Sequence, residues 1–76
     1  ANPDLPQAAR RRLEAYGELG AARERMGQYA KAEKTFEKLL SLSQQLDLKT
    51  DVARQHERLG RIYLLRLNHY RKALDQ

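Results

Sequence analysis

Tyr16-Gly17-Glu18-Leu19-Gly20-Ala21-Ala22-Arg23 and His56-Glu57-Arg58-Leu59-Gly60-Arg61-Ile62-Tyr63 are one pattern written twice, an aromatic ring three residues ahead of Leu-Gly. Leu59 follows Leu19 by 40 positions. Gly27, Tyr29, Ala32 and Phe36 follow the first copy, and Asn68, Tyr70 and Ala73 follow the second. Apolar residues around both copies recur at helical spacing. A glycine inside a helix costs about 1 kcal/mol relative to alanine. A helix that keeps one at the same place in both copies marks a spot where another backbone comes close. The pattern predicts an all-α fold of antiparallel helical hairpins.

The helix boundaries lie on either side of these copies. Both prolines precede Gln7, so none interrupts the rest of the chain. Asn2 to Pro6 reads as an irregular lead-in, with Asp4 as a cap and Pro6 in a first turn, where its missing N–H goes unused. The first helix then runs to about Met26, with Leu13, Tyr16, Leu19, Gly20 and Met26 as its buried stripe, and Gly27 ends it. A second helix spans about Tyr29 to Leu46 and turns Tyr29, Ala32, Phe36, Leu39, Leu40 and Ser43 to its neighbour. Asp47-Leu48-Lys49 connects, and Thr50 is a good cap for a third helix. That helix carries Val52, His56, Leu59, Gly60, Tyr63 and Leu67 on its packed side and closes at Asn68 in a left-handed turn. From Tyr70 a short fourth helix begins. A large side chain at Gly20 or at Gly60 should force its hairpin open, and Ala32 and Ala73 are the small residues expected opposite.

The two copies resemble the tetratricopeptide repeat, whose pattern is W-x2-L-G-x2-Y, then A-x3-F, then P. Tyr16 and His56 stand where that family has tryptophan, Arg23 where it has an aromatic, and Gln44 where it has proline. The resemblance implies one domain over 1–76, with a whole unit over 13–46 and a truncated one over 53–76. This amounts to one and a half repeats, or three long helices plus a short fourth. A step of 40 residues exceeds the family's usual value of about 34. It is similar to longer-period members such as the Pins-type polarity scaffolds, rapsyn and the kinesin light chains, although Arg61 replaces the asparagine usual in the Pins type.

The same resemblance implies a non-enzymatic module that binds a protein or peptide. The residues agree, because no catalytic constellation stands out. A chain without cysteine has neither a disulfide nor a thiolate metal site. There is no phosphate loop, dinucleotide motif or zinc-protease motif, so no cofactor is expected. His56 falls on an apolar face and reads as a packed core histidine. His69, placed at a helix start, reads as capping or solvated. Glu14, Glu18, Glu24 and Glu57 lie among arginines at helical spacing, as surface ion pairs do. Arg10-Arg11-Arg12 is the one charge run. Its members point in three directions and lack interleaved aromatics, so it suits a solvated face better than nucleic acid. No apolar run reaches the length of a membrane span. A cytoplasmic setting is expected.

A net charge of +5 suits an acidic partner. Residues 54, 58, 61 and 65 share one stripe of the third helix, opposite the Leu59/Tyr63 face. Arg54, Arg58 and Arg61 thus form a basic ridge ending in exposed Leu65. Gly17 lies on the face away from Gly20's packing contact and offers a shallow floor with Ala21. Carried over from the family, the groove positions are Glu14, Gly17, Ala21, Glu24 and Arg25 on the first helix. On the third they are Arg54, Glu57, Arg61, Leu64 and Leu65. The candidate binding set is therefore Glu14, Gly17, Ala21, Arg25, Arg54, Arg58, Arg61 and Leu65, and the candidate ligand is an acidic or amphipathic peptide or helix. The family's two-carboxylate clamp uses a lysine and an asparagine where this chain has Gly17 and Ala21, which argues against chaperone tails. One and a half repeats leave an apolar flank uncovered, so the second reading is a homo-oligomer or a solenoid assembly piece.

Overall fold

Each of the two corners between the helices of the described residues is made by one residue in the left-handed backbone region. Gly27, with φ 76°, closes the first helix, and Asp47, with φ 55°, closes the second. The hydrogen bonds match. Gly27 N–H donates to Glu24 O at 3.0 Å and Gln28 N–H to Arg23 O at 2.9 Å. Asp47 N–H donates to Gln44 O at 3.1 Å and Leu48 N–H to Ser43 O at 2.9 Å. Both are Schellman motifs, which satisfy carbonyls the helix end leaves free.

The computed structural model describes residues 6–75. The lead-in Asn2–Leu5 and the Asp4 cap lie outside the described residues. Three helices make up the described chain: α1 (Gln7–Arg25), α2 (Tyr29–Gln45) and α3 (Lys49–Leu74). Pro6 stands at the N-cap of α1, and its carbonyl accepts from Arg10 N–H at 3.1 Å. Thr50 does not cap α3. The helix already begins at Lys49 behind Leu48, because the Asp47 turn delivers the chain into it one residue earlier.

Helix α2 lies between the other two and packs on both. Its Ala32 and Phe36 are fully buried and its Leu39 nearly so, together with Ile62 from α3. Leu13, Tyr16, Tyr29 and Leu59 close around this cluster. Polar groups inside are satisfied. Ser43 Oγ donates to Leu39 O at 2.9 Å. Thr35 Oγ1 donates to Lys31 O at 2.9 Å and accepts from Arg23 Nη1 at 2.7 Å. Arg23, in the slot expected to be aromatic, is thus tied to the neighbouring helix by a hydrogen bond.

Several expectations are corrected. Leu19 and Met26 are exposed, because the line that α1 lays on α2 runs through Leu13, Tyr16 and Gly20. On α3 the packed residues are Gln55, Leu59 and Ile62, whereas His56, Gly60, Tyr63 and Leu67 face outward. Alpha2 takes one flank of α3, and no following helix among the described residues takes the other. His56 is therefore not a core histidine. Asn68 makes no left-handed turn; α3, 26 residues from Lys49 to Leu74, runs through it, His69 lies within the helix, and the short fourth helix is not formed. No glycine or proline interrupts residues 61–75, and good helix formers carry the helix on. Tyr70, Ala73 and Leu74 lie exposed on its last turns.

The two glycines also differ. A Cβ on Gly20 would sit 2.6 Å from Phe36 Cε1 and 2.7 Å from its Cζ. The expected close approach is real there, and the group that approaches is the Phe36 ring. A Cβ on Gly60 would meet nothing within 4 Å, so no hairpin closes on it.

Candidate functional site

Alpha1 and α3 flank α2 on one side and leave a cleft of about 530 Å³ between them. Its floor is Leu39 of α2. One wall is α1, through Arg10, Leu13, Glu14, Gly17, Glu18 and Ala21. The other begins at Leu48 and continues along α3 through Asp51, Arg54, Gln55 and Arg58. Small residues at 17 and 21, one helical turn apart, keep the α1 wall low.

Five of the residues singled out from the sequence line this cleft together: Glu14, Gly17, Ala21, Arg54 and Arg58. Arg25, Arg61 and Leu65 do not. Arg25 is exposed elsewhere on α1, and Leu65 is half-buried, not the exposed end of a ridge. The guanidinium of Arg61 forks onto Glu24, with Nε to Oε2 at 2.8 Å and Nη2 to Oε1 at 2.9 Å. This bond raises the Arg61 pKa above its ordinary value. The pair clasps α3 to α1, and at this exposure it contributes about 1 kcal/mol or less. Helical spacing places Glu24 in an ion pair, and the structure draws its partner from another helix.

The arginines of the ridge therefore have separate fates. Arg61 is taken by Glu24, and Arg54 stands 3.6 Å from Asp51, one turn back on its own helix. Arg58 makes no ion pair among the described residues. It lies 5.1 Å over the Phe36 ring and donates through Nη1 to Gln55 Oε1 at 3.2 Å. A Cβ on Gly17 would lie 3.6 Å from the same nitrogen. The guanidinium thus reaches across the cleft floor to α1. Partial burial, then the like charges of Arg54 and Arg61, hold its pKa below the ordinary arginine value. Sequence spacing does not point to Leu13, Leu39, Leu48 or Gln55 as lining residues, since two come from α2 and its corner and two from packed flanks.

Among the described residues no three of His, Cys, Asp and Glu come together to hold a metal. No described helix is long and apolar enough to cross a membrane. A family model described as tetratricopeptide repeat matches residues 11–76, most of the chain. No curated protein and no solved structure matches it.

Proposed function

The chain belongs to the tetratricopeptide repeat family, whose repeats mediate protein–protein interaction, and from that premise we propose that it is a non-enzymatic module binding an acidic, amphipathic peptide or helix in the cleft between α1 and α3. One observation carries the reading: Arg58, on the cleft floor against Phe36, makes no ion pair among the described residues, and the carboxylates of Glu24 and Asp51 act on it only from a distance. A side chain so placed is already ordered, so an incoming carboxylate gains a charge-assisted bond at little entropic cost. Leu13, Leu39 and Leu48 receive the apolar face of the ligand, and the low wall at Gly17 and Ala21 admits its backbone. Arg54 adds a second cation at the α3 rim. A helix laid in a groove is an established mode of recognition.

The test is a panel of amphipathic helical peptides and their charge-reversed counterparts, titrated by fluorescence anisotropy against the wild type and Arg58→Gln. Acidic members should bind and reversed ones should not. Arg58→Gln should weaken binding roughly 10- to 100-fold, the worth of one hydrogen bond to a charged group. Equal binding of acidic and reversed peptides, or an unchanged Arg58→Gln, would overturn the reading.

A further inference from the structure

The outward flank of α3 is not a scatter of apolar residues. Ala53, Gly60, Leu67 and Leu74 recur every seven positions, and Lys49, His56, Tyr63 and Tyr70 do the same, four residues behind. Alternating steps of three and four make this a heptad seam of the kind that pairs two helices along their length. It runs the full extent of α3, from Lys49 to Leu74. It is also open: Tyr63 is 64% exposed, Tyr70 59% and Leu74 84%, and nothing approaches Gly60.

We infer that two copies of this chain associate through this seam, with their α3 helices antiparallel. Among the registers a heptad seam permits, one matches the helices end to end, with Lys49 of one copy against Leu74 of the other. In that register Gly60 falls opposite Tyr63 of the second copy, Ala53 opposite Tyr70, and His56 opposite Leu67. Each small residue meets an aromatic ring, and between these layers His56 packs against Leu67. Lys49 lays its aliphatic stem along Leu74 and keeps its charge in water. A glycine that the chain's own packing leaves unexplained thereby gains a purpose, since the Tyr63 ring of the second copy needs the space a Cβ would take.

The shape of the surface agrees. Beside the first half of the seam lies a depression of about 410 Å³ lined by Gln44, Asp47, Lys49, Val52, Ala53 and His56. The second half projects Tyr63, Leu67 and Tyr70. An antiparallel pairing sets the projecting half of each copy into the hollow half of the other, twice, as an isologous twofold interface does. Covering the exposed tyrosines and leucines removes on the order of 1,000 Å² over both copies, taking about 150–250 Å² per aromatic side chain, which reaches the size where specific interfaces begin. The seam lies on the opposite side of α3 from Arg54 and Arg58, so a dimer leaves the cleft free and does not depend on what the cleft binds.

Sedimentation equilibrium on the whole chain, from low micromolar to near-millimolar concentration, reads the mass directly. It should rise from one chain to two and stop. Tyr63→Glu with Leu67→Glu should hold it at one chain throughout with an unchanged helical circular dichroism spectrum, because both positions are exposed. Arg58→Gln should leave the mass curve unaltered. The chain has no cysteine, so single Ala53→Cys and Tyr70→Cys variants can be mixed and oxidised; they should cross-link to each other, and Ala53→Cys should not cross-link to itself. A wild type of one-chain mass at every concentration would overturn the inference and give the flank to some other helix. So would a dimer that survives the double substitution, or self-linked Ala53→Cys, which marks a parallel pair.

Discussion

Gly20 and Gly60 hold the same place in two copies of one pattern, yet the first is pressed against a buried phenylalanine and the second faces open space. The difference lies in the segment downstream of each copy. After Gly20 the chain turns at Gly27 and returns Phe36 to it. After Gly60 the helix does not turn, and nothing among the described residues comes back. A repeated motif therefore specifies a surface, and the segment after it decides whether that surface becomes core or interface.

Four experiments break or sharpen this contrast. The largest effect is expected from Phe36→Ala. It empties the centre of the cluster and should cost about 3–5 kcal/mol, enough to unfold much of so small a chain in a urea titration. Gly20→Ala comes next. The added methyl overlaps a ring that cannot withdraw, and overpacking of about 1–3 kcal/mol outweighs the helix-propensity gain of about 1 kcal/mol, so the melting temperature should fall. Paired with Phe36→Ala the same substitution should turn neutral or favourable, a coupling that a double-mutant cycle measures directly. Gly60→Ala should do the reverse of Gly20→Ala, raising stability by about 1 kcal/mol in dilute solution. If Gly60→Ala melts lower there, Gly60 is packed and the contrast collapses. The smallest effect belongs to the corners. Asp47→Gly should stabilise by about 0.5–1 kcal/mol, because only the side chain resists the left-handed backbone that Gly27 adopts freely.

The sequence carried the helical hairpins, the family, the bounds of α1 and α2 and the Gly27 corner, each signalled by local chemistry. It placed the second connection at Asp47-Leu48-Lys49 but not the left-handed turn at Asp47. Aspartate adopts that conformation less often than glycine, and Thr50 offers a better-looking cap a few residues on. Nor did it fix which flank of α3 is packed. Leu59 with Ile62 and Leu65 makes one apolar flank and Tyr63 with Leu67 another, and periodicity alone does not say which of them meets α2. Within the cleft, helical spacing brought Gly17 together with Ala21, and Arg54 with Arg58. The removal of Arg61 by Glu24 was invisible, because the two are far apart in the chain and meet only once α1 and α3 are placed.

Both corners of the molecule are built from the same two hydrogen bonds around one left-handed residue. A helix added or deleted at either corner needs no new kind of joint, so the number of helices can change while the hydrogen bonding of each turn is kept. Length, in such a protein, is a quantity that duplication can adjust without redesign.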